Sequence, residues 1–280
     1  MLAFIGYKFL EFLAFILPYP VAYFIARILA RLAVIFGINL YPLKKNISRV
    51  MGKDINHPQV HRTAIKIYQH WLKNIVDFLK HKLVPRDRLK QIVELEGMEN
   101  LQRALDKGKG AIIFTAHIGN FEWGACRIAL EIENTWGMGL QRKYKPLNNF
   151  FESKRLSKGL NTIYNDRLLN IFRILKENGV VAIPTDWDPT CRANPVNFFG
   201  KKARIPYGPI FTALKSEAPI MPSFIYRKDK YTHHQIIGSP LKIDRSKDVA
   251  ANMATMIEVL EKYIAAHVDQ WEMFHDIWVD

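Results

Sequence analysis

AIIFTAHIGNFEWGACRIALEI (111–132) decides the fold. Its first six residues, Ala111 to Ala116, are a short β-rich apolar run without inward–outward alternation, the pattern of a strand buried on both faces of a parallel sheet. His117 follows directly. The Gly119–Asn120 pair turns the chain, Asn120 can cap a helix, and the residues from Phe121 to Ile132 read as that helix.

Outward from this unit the same rhythm repeats. Upstream, VELEGMENLQRALDKGKG (93–110) reads as a strand, a turn and a helix ending at Gly108 or Gly110, and Pro58 to Leu83 carries apolar residues at helical spacing. Downstream come a strand TWGMGL (135–140), a helix near 147–159, a helix around 166–178 ended by Gly179, and the strand VVAIPT (180–185). A helix near 207–217, the strand PIMPSFIY (219–226), a strand at 233–238 and a long helix from Asp248 to His267 follow. Such alternation predicts an α/β fold with a mostly parallel central sheet flanked by helices.

A chain of 280 residues suits one large α/β domain with a short appendage. With 49% apolar and 12% aromatic residues, wholesale disorder is excluded. Forty Lys and Arg against 26 Asp and Glu give a net charge of +14, which suits nucleic acid, an anionic membrane face, or an acidic or phosphorylated partner. No nucleic-acid motif is present, and none of that class of partner is expected. Cys126 and Cys191 have neither metal-type nor redox spacing. His57 and His61 share the i, i+4 offset of a metal pair, but with no carboxylate near in sequence they read as helix-surface residues; no metal is expected.

The appendage is MLAFIGYKFLEFLAFILPYPVAYFIARILARLAVIFGI (1–38). The missing charged n-region, Glu11 and the lack of a small-residue cleavage site speak against a signal peptide. Glu11 and the Pro18-Tyr19-Pro20 break speak against one clean span and predict two short helices meeting at the break. The domain reading is residues 1–40 as a hydrophobic membrane-associating helical segment and 41–280 as the catalytic domain. Arg27, Arg31, Lys44, Lys45, Arg49 and Lys53 place the following chain on the cytoplasmic side of the inner membrane. A buried helical hairpin of a soluble domain is the plain alternative.

In open α/β sheets ligands sit beyond the carboxyl ends of the strands. His117 follows one such strand and Asp186 another, and Glu122 lies in the first turn of the helix that Asn120 caps. A hydroxyl needs a positioned base to become a nucleophile, and a histidine whose far ring nitrogen faces a carboxylate is suited to that task. The turn between them can bring Glu122 against His117. Spacing alone is weak: His267/Glu272 and His275/Asp280 have the same offset, and only the strand–turn–helix context selects the first pair. For Asp186 the plain alternative is a loop cap, and for Arg204 a surface charge.

These residues carry a resemblance. AHIGNFEW (116–123) resembles the histidine–acid motif of the lipid A biosynthesis (late Kdo-lipid A) acyltransferases, within the glycerophospholipid acyltransferase superfamily. QRKYKPLNNFFESKR (141–155), PTDWD (184–188), FFGKKARIPYGPIFTALKSEAPIMPSF (198–224) and QWEMFHDIW (270–278) are similar to further blocks of that family, in order along the chain. The resemblance implies transfer of a fatty acyl chain from acyl-ACP or acyl-CoA, as co-substrate and with no other cofactor, to a hydroxyl of a membrane glycolipid such as a lipid A precursor. It implies His117 and Glu122 as catalytic residues, Arg155 as the functional arginine with Arg142 or Arg204 assisting at phosphate or developing charge, and Asp186 orienting that arginine or the acceptor sugar. Acyl carrier protein or a CoA thioester, the glycolipid acceptor and the bilayer are the implied partners. Asp276 and Asp280 stand where lipid A enzymes commonly carry a basic pair, and WEMFHDIW is also similar to the ending of phosphatidylinositol mannoside acyltransferases, so both acceptors stay open. Glycerol phosphate or lysophosphatidic acid acylation fits less well, since those enzymes typically have aspartate at the position of Glu122. A non-catalytic basic membrane-binding protein is the remaining alternative.

Overall fold

The computed structural model describes residues 2–164 and 169–279. Two helices, α1 (Leu2–Ile16) and α2 (Tyr19–Ile35), meet at the proline break and are followed by α3 (Tyr41–Met51) and α4 (Pro58–Leu79). Then come α5 (Arg86–Ile92), β1 (Val93–Glu96), α6 (Met98–Leu105), β2 (Ala111–Thr115), α7 (Phe121–Ala129) and β3 (Thr135–Gly139). The chain continues through α8 (Lys145–Leu156), β4 (Asn161–Tyr164), α9 (Asn170–Lys176), β5 (Val180–Pro184) and a hairpin of β6 (Pro195–Phe198) and β7 (Lys201–Arg204). It ends with α10 (Gly208–Ser216), β8 (Ile220–Arg227), β9 (His233–Ile237) and α11 (Val249–Ala266).

Among the described residues one sheet has seven strands in the order β1-β9-β8-β2-β5-β3-β4, and all neighbours are parallel except β8 and β9. The mostly parallel α/β architecture expected from the sequence is present. β2 is central and its side chains divide between two cores. Ile112 and Phe114 pack with Val181, Ile183 and residues of α9, α10 and α11, whereas Ala111 and Ile113 pack with Val180, Ala182 and residues of α6 and α7. Burial on both faces is why this strand is apolar without alternation.

Elements left unassigned by the sequence pattern are α3, α5, β4 and the β6–β7 hairpin. α5, β4 and the hairpin are short and carry too few apolar residues to show a period, whereas α3 does carry a helical one, Leu43, Ile47 and Val50, in a stretch read only for its basic charge. The helix expected around 166–178 is described as α9, and residues 165–168 lie outside the described residues.

No helix among the described residues is long and apolar enough to cross a membrane. Instead α1 and α2 each have a docked face and a bare one. Ala22, Ala26 and Ala30, one turn apart, form the buried side of α2 against α4, while Phe24, Ile28 and Leu29 point outward. Glu11, the charge that interrupts the apolar run, turns inward: it pairs with the buried Lys154 of α8 at 2.6 Å, and Lys154 also donates to the Leu79 carbonyl at 2.8 Å. The carboxylate thus docks α1 on the α/β domain.

Candidate active site

The register of the two central strands places the first functional pair. Thr115 of β2 is opposite Pro184 of β5, so His117 and Asp186, each two residues further on, emerge side by side at the carboxyl end of the sheet. His117 Nδ1 lies 2.7 Å from Asp186 Oδ1. Asp186 is fully buried, and an ionised carboxylate only accepts, so Nδ1 carries the proton and donates it. Nε2 is therefore left as the basic nitrogen. The His117 backbone N–H and the Trp271 indole N–H both donate to Asp186 Oδ2, each at 2.8 Å.

The far nitrogen of His117 thus faces Asp186 and not Glu122, contrary to the expectation from the five-residue offset. Glu122 belongs to a second pair. Its Oε2 accepts from Arg155 Nε at 2.8 Å and its Oε1 from Arg155 Nη2 at 2.5 Å. The reason is geometric. Asn120 Oδ1 caps α7 by accepting from Trp123 N–H at 3.1 Å, which sends Glu122 along the first turn toward β3 and α8. Arg155, on the last turn of α8, meets it there.

Charge within the two pairs is mutually supported. Burial opposes protonation of His117, but the adjacent Asp186 carboxylate outweighs it and raises His117 above its ordinary value, with Glu122 adding at longer range. Asp186 is held below the usual carboxylate range: burial pushes it up, and His117 with the three hydrogen bonds pulls it down further. Glu122 is likewise lowered, since the Arg155 guanidinium outweighs burial.

The remaining expected site residues are less central. Arg142 is exposed, with its guanidinium 3.9 Å above the Phe151 ring, close enough to act on Glu122 and Arg155 electrostatically. Arg204 does not join them: its Nη1 donates to the Ala193 carbonyl at 2.8 Å and braces the hairpin loop. Asp186 binds neither Arg155 nor a surface group; its partners are His117 and Trp271. The His267/Glu272 offset is not a pair, since the His267 ring stacks on Tyr226 and Glu272 accepts from Asn74 Nδ2 at 2.5 Å; Asp280, the partner expected for His275, lies outside the described residues. Among the described residues no group of three or more His, Cys, Asp or Glu side chains could hold a metal ion.

Around the pairs, Phe121 lies edge-on to the His117 ring at 4.9 Å, and Trp187 stacks face to face on His275 at 4.0 Å. A narrow slot beside Glu122 and Arg155 is walled by Phe121, Ala125, Met138, Leu160 and Ala182. The loop itself is seated by Asn74, whose Nδ2 donates to the Gly119 carbonyl at 2.8 Å, and by Asp77, which accepts from Asn120 Nδ2 at 3.0 Å. Asp77 is buried, paired with Arg227 at 2.6 Å, and bonded to the Tyr23 hydroxyl of α2. Sequence spacing carries no sign of this support, because Asn74, Asp77 and Arg227 are remote along the chain.

Sequence comparison places the chain among known proteins. The chain is 24% identical over 246 residues to the phosphatidylinositol mannoside acyltransferase of Mycobacterium tuberculosis (strain ATCC 25618 / H37Rv), covering 85% of this chain and 76% of that protein. The protein of the same name from Mycolicibacterium smegmatis (strain ATCC 700084 / mc(2)155) is 22% identical over 245 residues, covering 85% of this chain and 79% of the relative. The model of the family described as bacterial lipid A biosynthesis acyltransferase matches residues 1–279, nearly the whole chain, and the chain belongs to this acyltransferase family.

Proposed function

We propose that this protein transfers a fatty acyl chain from an acyl thioester, acyl-ACP or acyl-CoA, to a sugar hydroxyl of a membrane glycolipid at the cytoplasmic face of the inner membrane. The observation that carries the reading is the His117–Asp186 contact at the ends of two central strands, with Nδ1 committed to the carboxylate and Nε2 left basic. Nε2 takes the proton of the acceptor hydroxyl as its oxygen attacks the thioester carbonyl. Asp186 supports the imidazolium that forms. The tetrahedral intermediate then collapses, the C–S bond breaks, and His117 returns the proton to the departing thiolate.

Attack is direct, with no acyl-enzyme. Cys126 lies one turn beyond Glu122, but burial holds its thiol well above the ordinary range, so no thiolate forms there. The slot beside Glu122 has an apolar wall but a volume of only about 30 Å³, so it does not by itself seat an acyl chain. Arg155 has its fork occupied by Glu122, which leaves Arg142 as the cation to meet acceptor phosphate or the developing oxyanion. The outward apolar faces of α1 and α2 would rest in the bilayer interface and present the site to a lipid.

Two acceptors are in play. The family description favours a lipid A precursor. The names of the mycobacterial relatives favour a phosphatidylinositol mannoside. The test is labelled acyl transfer by full-length protein in vesicles holding Kdo-lipid A precursor, phosphatidylinositol mannoside or lysophosphatidic acid, with both donors. Transfer to a glycolipid that vanishes in His117→Ala supports the reading. Transfer only to lysophosphatidic acid, or transfer unaffected by His117→Ala, sinks it.

A further inference from the structure

Residues 270–272 lie along the His117 loop as a backbone strap. Gly119 N–H donates to the Gln270 carbonyl at 3.0 Å, and Glu272 N–H donates to the His117 carbonyl at 2.7 Å. Between them Ile118 and Trp271 form an antiparallel bridge. The strap therefore moves with the loop that carries His117, and it delivers one side chain to the pair. Trp271 is fully buried, and its indole N–H donates to Asp186 Oδ2 at 2.8 Å.

A second tryptophan in the same segment shows that this is a choice of partner. Trp278 is also buried, and its indole N–H donates to Asn46 Oδ1 at 2.8 Å. Asn46 in turn donates to the Met273 and His275 carbonyls. That N–H holds the segment in place. The N–H of Trp271 meets the carboxylate that faces His117.

We propose that Trp271 is a positioning residue for the His117–Asp186 pair: its indole N–H fixes the plane of the Asp186 carboxylate against the His117 imidazole and draws charge from Oδ1 to Oδ2. The proposal rests on the reading of His117 as general base. Asp186 Oδ2 accepts two N–H groups, from the His117 backbone and from Trp271. Both draw carboxylate charge toward Oδ2 and away from Oδ1. Without the indole donor the His117 backbone N–H still holds Oδ2 and keeps Oδ1 on Nδ1, but the carboxylate rocks and orients the imidazole less well, and Oδ1 regains charge and holds the Nδ1 proton more strongly. Turnover falls, and His117 stays protonated to higher pH.

The test compares full-length Trp271→Phe with Trp278→Phe. His117 is titrated directly by nitrogen NMR of histidine-labelled protein, and kcat and KM are followed against pH. For Trp271→Phe the expected result is a His117 midpoint raised by a few tenths of a pH unit and a kcat about ten- to a hundredfold lower at neutral pH, on the scale of losing an outer hydrogen-bond partner of a metal-bound histidine. KM stays near the wild-type value and part of the kcat returns as pH rises. Trp278→Phe loses stability while its His117 midpoint stays in place. Should Trp271→Phe fail to fold, benzothienylalanine at position 271 keeps the ring volume, cannot donate, and carries the same expectations. A His117 midpoint that is unmoved or lowered in a folded position-271 variant overturns the proposal. The midpoint needs no substrate, so this outcome is distinct from failure of the general-base reading, which shows as turnover retained in His117→Ala.

Discussion

Glu122 and Arg155 meet as a two-pronged ion pair, Oε2 on Nε at 2.8 Å and Oε1 on Nη2 at 2.5 Å, in the wall of the site beside His117. The side chains are 20% and 13% exposed, so most of the shielding that water gives a surface pair is missing. The pair adds no net charge to the site. It fixes the first turn of α7 to the last turn of α8 across the end of β3.

Removing one partner strands the other. We expect Glu122→Gln and Arg155→Gln each to lower stability, by less than the roughly 3–5 kcal/mol of a fully buried pair because some water reaches this one. The double variant should recover part of the loss. Arg155→Lys keeps the charge but cannot offer two parallel donors, so it should behave more like Arg155→Gln than like wild type. Thermal unfolding of the four variants checks this. Purely additive losses would mean that the two side chains do not act as a unit.

Gly119 supplies a second expectation. Its φ is +57°, and a Cβ placed there would lie 2.4 Å from the Ile225 carbonyl oxygen of β8. The backbone of the His117 loop rests on the sheet at this point. Gly119→Ala should therefore displace the loop and cost both stability and turnover. Gly108, also at positive φ but with nothing within 4 Å of its Cβ position, should tolerate alanine with only the conformational penalty. Equal behaviour of the two variants would contradict this account.

Much of this was legible before the fold was known, for physical reasons. A doubly buried strand is written in the chain as an unbroken apolar run, so AIIFTA and VVAIPT declared both the sheet and the strand ends where His117 and Asp186 stand. The identity of the carboxylate facing His117 was not legible. Glu122 is near in sequence and Asp186 is 69 residues away, and only the β2–β5 register decides between them. Trp271 and Asp77 are harder still, since each reaches the site through tertiary packing that leaves no local period. The inward turn of Glu11 was hidden likewise, because its partner Lys154 lies on α8.

The apolar hairpin yields an expectation about membranes. Deleting it is a poor test, because Tyr23 of α2 bonds the buried Asp77 and the alanine face of α2 covers α4. Surface substitution is cleaner. Phe24 and Ile28 are 54% and 38% exposed on the outward face. Each would give up part of the roughly 1.5–3 kcal/mol that burying such a side chain supplies. The Phe24→Glu, Ile28→Glu double variant should therefore stay folded and bind anionic vesicles at least about tenfold more weakly. Vesicle sedimentation at matched salt measures this, and unchanged binding would remove α2 from the bilayer contact.

The last expectation separates the pH at which the His117–Asp186 pair stabilises the fold from the pH at which it works. His117 is raised in the folded state, so its stabilisation is fully present below about 6.5, the unfolded histidine value, and is lost as pH climbs through the folded value. Asp186 is lowered, so its contribution is present above about 3.9, the unfolded aspartate value, and is lost as pH falls through the folded value. The pair therefore stabilises most between those limits, where His117 is protonated. General-base chemistry needs His117 neutral, so turnover should rise only above its raised midpoint, on the alkaline side of the stability maximum. Asp186→Asn removes the negative charge while the burial remains, and burial alone lowers a histidine. In that variant the acid limb of kcat/KM should move to lower pH, the plateau should drop by orders of magnitude because the tautomer is no longer fixed, and the extra stability between pH 4 and pH 6.5 should disappear. An acid limb that stays put in Asp186→Asn, measured beside a pH series of thermal unfolding, would show that Asp186 does not govern the charge of His117.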